Sequence, residues 1–488
     1  MKILLVTHGV QGWPTNIPDA EVVDAKEYLT NPRYSELRGA KVYNLCRSYR
    51  YQSTGYYVSL LAEARGHKPV PNITTAQDIK TQAIVRMVAD DLLDLIQRSL
   101  APLHSDSFEL SIYFGCNMAK RYSRLALRLF NQFQSPLMRA HFTKSSSGWQ
   151  LRRITTISGN DVPEKHWPFV IETAKKHFSS RSLPAIKRAH VRYDMAILQN
   201  PDDPEPPSDA AALKKFCKIG AAMGIAVELI DRDDYGRIAE FDALFIRDTT
   251  RVNHYTYRFA QRAENEGLVV MDDPLSIVRC SNKVYLAELL TRHKVPVPKS
   301  LVVEREQTNH IAAELGFPLV LKKPDSAFSQ GVVKVRDQTE LDQRLAEFFA
   351  ESDLIVVQAY LPTTFDWRIG VLDQKPLFAC KYFMARGHWQ IIRPECSGTG
   401  RYGKFETMAV DEAPAGAVKV ALKAANLIGN GLYGVDVKES AGRFYVIEVN
   451  DNPNIDSKVE DIVLKNELYR RVLGVFLERI ERSKAKAQ

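Results

Sequence analysis

The stretch Gly431–Asp456, GLYGVDVKESAGRFYVIEVNDNPNID, decides the reading of this chain. Two β-type runs, Leu432 to Lys438 and Arg443 to Asn450, flank Glu439-Ser440-Ala441-Gly442, which reads as a hairpin turn. Strand side chains alternate faces, so Glu448 and Asn450 project from one side, with Asp436 on the partner strand within reach. Two carboxylates and an amide oxygen form an all-oxygen donor set that suits a hard cation, Mg²⁺ or alternatively Mn²⁺. A cation held by so few protein ligands completes its shell with water and substrate phosphates. Tyr445, Val446, Ile447 and Val449 make the strand half-buried, and a carboxylate buried there needs a metal or a basic neighbour. The plainer alternative is an ordinary hairpin with solvated ends. Asn452-Pro453-Asn454 then turns the chain into a loop beside the donors, so the site looks built for a nucleotide.

Three upstream segments point the same way. Gly316 to Pro324 is a short buried strand carrying Lys322 near its end, followed by the small-residue loop Asp325 to Gly331 and a second strand, Val332 to Val335. Such a loop, with Ser329, Gln330 and Gly331, can fold over phosphates and donate backbone N–H groups above the lysine. Leu354 to Tyr360 is a buried strand ending in a linker, where the backbone of Gln358, Ala359 and Tyr360 can bond an adenine edge. Asp366-Trp367-Arg368 begins another strand, with Asp366 and Arg368 on one face. Each segment alone has a plain reading: a solvated Lys pair, a hairpin turn, a surface ion pair worth little.

Their order resembles the ATP-grasp fold, most closely its RimK-type carboxylate–amine ligases, from about Asp272 to Ile480. The resemblance implies two α+β subdomains and ATP as cofactor. It puts Lys283 and Lys322 on ATP phosphates, Gln358, Ala359 and Tyr360 at the adenine hinge, and Asp366 on the nucleotide. Arg368 takes the place of an active-site arginine, and Asp436, Glu448 and Asn450 those of the metal ligands. Asn454 falls on the substrate-side loop, and Lys381 or Arg393 takes the γ-phosphate or acyl-phosphate contact. The implied reaction is ADP-forming ligation through an acyl phosphate. Its substrates would be an amino acid, with L-glutamate a candidate, or a peptide or protein tail. The chain departs from the pattern in having one glycine, Gly331, in the phosphate loop and Ala359 where an acid is common. Residues Ala379 to Gln390 are unlike the RimK enzymes that modify ribosomal protein tails, which leaves the substrate open. A catalytically silent ATP-binding regulator and a partner-binding module are the alternatives.

At 488 residues the chain exceeds one core, and three parts are expected. These are an N-terminal α+β domain over residues 1–185, a small parallel α/β pre-ATP-grasp domain over 186–282, and the ATP-grasp domain over 283–488. The first is similar to the RimK-like N-terminal domain through its first seventy or so residues, above all RSYRYQSTGYYVSLLAEARGHKPVP. The second is read from strands Met195–Leu198, Ala226–Ile230, Ala243–Arg247 and Leu268–Met271 alternating with helices. Arg247 ends a strand where open α/β sheets bind ligands, so it is a candidate substrate-carboxylate contact or a structural ion pair. Cys46, Cys116, Cys217, Cys280, Cys380 and Cys396 are scattered without a CxxC pair, which argues against a zinc site and for a reducing, cytoplasmic setting. No apolar run approaches the roughly 20 residues of a membrane span. The net charge of +8 lacks a basic stripe interleaved with aromatics, so it suits ATP or an acidic substrate better than nucleic acid. Homo-oligomerisation stays open.

Overall fold

The computed structural model describes residues 2–9, 13, 20–37, 39–79, 82–146, 148–179, 191–306, 308–325, 331–393 and 402–486. They gather into two compact units, one of residues up to 191 with 233–240, the other of residues 192–232 with 241–486. Among the described residues, no helix is long and apolar enough to cross a membrane.

In the first unit, β1 (Lys2–Thr7), β2 (Ala20–Asp24), β3 (Ala40–Asn44) and β4 (Lys68–Val70) form a parallel sheet in the order β2-β1-β3-β4. Leu4, Leu5 and Val6 of β1 are fully buried, as a strand covered on both faces must be. Then β5 (Ser107–Tyr113), β6 (Leu137–Ser145) and β7 (Gly148–Thr156) form an antiparallel meander. The α+β expectation for this region therefore gains a wholly parallel sheet. Its connections are long enough for crossovers that carry helices such as Thr54–Ala64.

The second unit opens with β8 (Tyr193–Gln199), β9 (Ile225–Ile230), β10 (Ala243–Arg247) and β11 (Val269–Met271), parallel in the order β11-β10-β8-β9. Helix Ala210–Ala222 starts at Asp209, whose carboxylate accepts the Ala212 N–H at 2.7 Å. Helix Asn466–Lys486 packs through Tyr469 against Phe216 of helix Ala210–Ala222 and through Phe476 against Phe245 of β10.

Two antiparallel sheets follow, one in each α+β half. The first holds β12 (Ser300–Val303), β13 (Leu319–Lys322), β14 (Val332–Val335) and β15 (Ile355–Ala359), ordered β12-β15-β13-β14. The second holds β16 (Phe365–Leu372), β17 (Lys375–Phe383), β18 (Phe405–Met408), β19 (Leu432–Ser440) and β20 (Arg443–Asp451), ordered β18-β17-β16-β19-β20. One face of this second sheet, with Trp367, Ile369, Ala379, Val435, Val437 and Val449, packs on the alanine-rich helix Ala415–Ile428. Each buried valine or isoleucine contributes roughly 1.5–3 kcal/mol, so a one-residue slip that turned this face outward is excluded. The opposite face is the one left to carry polar chemistry.

The β19–β20 hairpin is tighter than the sequence suggests. Only Ala441 and Gly442 lie in the turn, with φ of 50° and 72°, the left-handed pair that matches strand twist. Counted from that turn, Asp436 would oppose Ile447. A bulge between Asp436 and Val437 adds one residue and sets Asp436 opposite Glu448 instead.

Candidate active site

Three strands lay Arg368, Asp436 and Glu448 side by side in a row across the open face. Arg368 grips Asp436 with a two-pronged fork, Nε to Oδ1 at 2.7 Å and Nη2 to Oδ2 at 2.8 Å. Burial works against the guanidinium charge, but Asp436 more than offsets it and raises the arginine's pKa. Asp366, on the same face, does not pair with Arg368. It accepts from Lys438 Nζ at 2.6 Å and Thr363 Oγ1 at 2.9 Å, and burial lifts its pKa against the pull of Lys438. Asn450 lies opposite Gly434 and donates to Asp436 Oδ2 at 3.3 Å.

Lys283 reaches the other end of the row, its Nζ 3.0 Å from Glu448 Oε1. It begins helix Lys283–Arg292, which Asn282 caps by accepting the Tyr285 N–H at 2.9 Å. The backbone N–H of Lys283 is tied to Pro324 O at 2.9 Å, which holds the lysine against the end of β13. Burial raises the Glu448 pKa, yet Lys283 and Lys322 more than offset this and hold it below the usual carboxylate range. Lys322 ends β13 with 7% exposure, and its ammonium makes no hydrogen bond or salt bridge among the described residues. Burial lowers its pKa to about 8, against the pull of Glu448 and with Lys283 and Lys438 adding to the effect.

Asp436, Glu448 and Asn450 offer oxygen alone, which fits a hard divalent cation. Among the described residues no cluster of three His, Cys, Asp or Glu could hold a metal by itself. Two carboxylates and one amide suffice for a cation that brings water and phosphate oxygens with it, provided that Arg368 and Lys283 yield part of their grip.

Other expected residues fall differently. Gln358 turns its amide to Ser300 Oγ at 2.9 Å, while the N–H groups of Ala359 and Tyr360 donate to Lys299 O at 2.8 Å and Pro318 O at 3.2 Å. The sheet therefore takes the two hinge donors that a purine edge was expected to use. The Tyr360 ring is capped by Lys334 Nζ at 4.4 Å. Gly331 sits at φ 72° with its carbonyl accepting the Lys323 N–H at 2.9 Å, and Ser329 and Gln330 lie outside the described residues.

Lys381 is a correction. The turn at Asp373 and Gln374 pairs Leu372 with Lys375, a count that would set Lys381 opposite Asp366 on the site face. A bulge at Gly370–Val371 moves the register by one, so Tyr382 takes that place. Lys381 instead lies on the reverse face, over the rings of Phe365 and Trp367 and 3.3 Å from Glu406. Arg393 is half-buried, the last described residue before 394–401.

Arg247 is also not where a substrate could meet it. It is fully enclosed, with Nε on Ser208 Oγ at 3.0 Å, Nη1 on Asn452 Oδ1 at 2.6 Å and Nη2 on the carbonyls of Pro207 and Pro453. It fixes the loop that carries Asn454, whose own amide donates to Asp456 at 3.4 Å. Lys438 escaped the sequence reading although it stands two residues from Asp436, on the same face. Tyr382 escaped because the bulge that turns it inward leaves no mark in the hydrophobic pattern.

Two family models match this chain. The RimK-like ATPgrasp N-terminal domain spans residues 25–173 and the RimK-like ATP-grasp domain residues 280–470, between them well over half of the sequence. The alpha-aminoadipate–LysW ligase LysX of Saccharolobus solfataricus is 26% identical over 268 residues, 50% of this chain and 90% of that protein. The tetrahydromethanopterin:alpha-L-glutamate ligase of Methanocaldococcus jannaschii is 26% identical over 243 residues, 48% of this chain and 80% of that protein. The crystal structure of a RimK domain ATP-grasp protein from Sphaerobacter thermophilus aligns with 58% of this chain and 99% of its own, at 17% identity and a TM-score of 0.44. The matched segments hold the lysines, the arginine and the oxygen donors of the row, and the chain belongs to the RimK-like ATP-grasp family of carboxylate–amine ligases.

Proposed function

We propose that the row joins a carboxylate to an amine through an acyl phosphate, with Mg²⁺ as the cation and Mn²⁺ as a substitute. The observation that carries this is Lys322, whose buried ammonium makes no salt bridge or hydrogen bond among the described residues and lies near two carboxylates already paired elsewhere, Glu448 and Asp366. Such a charge is costly unless an anion arrives to meet it. Lys322 and Lys283 would hold phosphate oxygens of ATP. Arg368 would hold the oxygen whose charge changes as the γ-phosphoryl group passes to the substrate carboxylate and ADP departs. The amine then attacks the acyl carbon, phosphate leaves, and the nitrogen loses a proton to give the amide. Asp436, Glu448 and Asn450 would hold a divalent cation, which would supply charge neutralisation at the phosphates.

The relatives' named substrates make an amino acid the first choice, L-glutamate foremost, and a peptide or protein tail the second. The same reading assigns residues 1–185 to substrate or partner selection, 186–282 to a pre-ATP-grasp domain and 283–488 to ATP chemistry. It places the chain in the cytoplasm, either alone or as a homo-oligomer. The test is a screen for amine-dependent ADP release over amino acids and acidic peptides, with mass spectrometry of the products. ADP release without amide in any pairing would favour a regulatory ATPase. Glu448→Gln conserves shape and removes a donor charge, so turnover should vanish while the chain still folds, with a lower melting temperature because the Lys283 pair is lost. Undiminished turnover of that variant at limiting Mg²⁺ would remove Glu448 from the cation site.

A further inference from the structure

Arg368 has a second neighbour besides Asp436. Its guanidinium carbon lies 5.2 Å from the centre of the Tyr382 ring, the residue that the β17 bulge turns to the site face. The Tyr382 hydroxyl donates to Glu460 Oε1, and Glu460 Oε2 accepts the Asp456 N–H at 2.7 Å. Glu460 is 1% exposed. It is faced by Tyr382, Cys380 and Arg368 from the sheet, Arg247 from β10, Tyr469 from helix Asn466–Lys486, and Asp456 from its own loop. A buried carboxylate of this kind is kept where its position matters, and nothing in the ligation scheme so far uses it.

The Asp436 oxygens that fork Arg368 are the same ones assigned to the cation. Once a cation takes one of them, the two-pronged grip is lost, and an arginine with no other support would swing. We propose that Tyr382 and Glu460 are positioning residues that keep the Arg368 guanidinium aimed along the row while Asp436 serves the cation; this rests on the role given to Arg368 above. The ring face attracts the guanidinium, and a hydroxyl donated into an ionised carboxylate makes the ring more electron-rich and the attraction stronger. Burial lifts Glu460 to about 7, so its ionised form is lost as pH falls below neutrality.

Three variants of the full chain separate the parts. Tyr382→Leu removes the ring, Tyr382→Phe keeps the ring and drops the hydroxyl, and Glu460→Gln keeps the shape and drops the charge. The kcat for amide formation should fall roughly tenfold or more in Tyr382→Leu, with the KM for ATP within about twofold. Tyr382→Phe should recover part of that loss. In Glu460→Gln the decline of kcat below about pH 7 should disappear. A readout independent of turnover is hydrogen exchange of the Arg368 Nε–H by NMR, with Mg²⁺ and a non-hydrolysable ATP analogue present. Exchange should quicken in Tyr382→Leu and in Glu460→Gln. Parental exchange in both, or parental kcat in both, overturns the proposal. Should Tyr382→Leu not fold, Tyr382→Phe and Glu460→Gln carry the same comparison. A parental chain without amine-dependent turnover counts against the ligase reading, and the exchange measurement still decides this one.

Discussion

Lys322 shows most plainly how one residue joins sequence to function. A lysine at the end of an apolar strand is readable from LVLK alone; that it is buried, with no salt bridge among the described residues, is not, because the charges around it, Glu448, Lys283 and Lys438, arrive from other elements. Moving its pKa from 10.5 to about 8 means that the charged form costs on the order of 3 kcal/mol in the free protein. The fold carries that cost whenever the site lacks an anion. Lys322→Met retains length and removes the charge. It should therefore leave the melting temperature of the free protein equal or higher. ATP binding should weaken roughly tenfold to a hundredfold, the worth of one charge-assisted contact. Titration calorimetry beside a thermal melt checks both halves, and unchanged affinity would reduce Lys322 to a structural charge. That Asp436, Glu448 and Asn450 share a face was legible for a similar reason, since polar residues interrupt an apolar strand. For Arg247 the sequence left a substrate contact and a structural role open, because its carbonyl partners at Pro207 and Pro453 belong to loops that no periodicity announces.

Elements set which of these side chains meet. Two bulges, at Ile447 in β20 and at Gly370–Val371 between β16 and β17, bring Glu448 opposite Asp436 and Tyr382 onto the site face. Hairpin counting from the turns fails by one residue in both cases, which is why the strands were legible and the side chains they bring opposite one another were not. A third device is Gly434 on β19. A Cβ there would lie 2.7 Å from Pro453 Cβ and 3.6 Å from Arg368 Cδ, so the substrate-side loop rests directly on the strand. The loop has little freedom to retreat. Arg247 holds the Pro453 carbonyl at 2.8 Å and the Asn452 side chain at 2.6 Å, and Asp272 takes the Asn452 N–H at 2.6 Å. Gly434→Ala should thus destabilise the unit by about 1–3 kcal/mol through overpacking. It should also slow ligation further than stability alone explains, because Pro453 and the substrate-side loop must shift. Urea unfolding with kcat measured well below the transition distinguishes these. A variant as stable and as fast as the parent would show that the loop can shift freely.

Across the whole molecule the order of parts was legible, from the parallel α/β unit through the two antiparallel sheets, because each carries its own strand spacing and turn residues. The wholly parallel first sheet was not, since β4 has only three residues and the crossovers do not declare their direction. Proton linkage belongs to this scale too, and among the buried carboxylates Glu448 and Glu460 pull opposite ways. Glu448 has a lowered pKa, so it contributes stability above its unfolded pKa that is lost as pH falls through the folded one. Glu460 is raised from 4.5 to about 7. Between those values the folded state binds the extra proton, so stability falls as pH rises through that window, by on the order of 3 kcal/mol. The parental second unit should accordingly be more stable near pH 5 than near pH 8, while the ionised Glu460 that supports Arg368 prevails only at the upper end. Glu460→Gln replaces the titrating oxygen with an amide that can accept from the Asp456 N–H and donate to the Tyr382 oxygen. Its stability should fall less steeply between about pH 5 and pH 8 than the parent's, with Asp272 and Asp451, also raised by burial, supplying the slope that remains. Because the chain has two units, the measurement is made locally, as amide exchange of helix Asn466–Lys486, which packs in the same unit as Glu460. Parent and variant with identical pH slopes would mean that Glu460 keeps its ordinary pKa, and the neutral-pH decline in kcat would then have to come from another group.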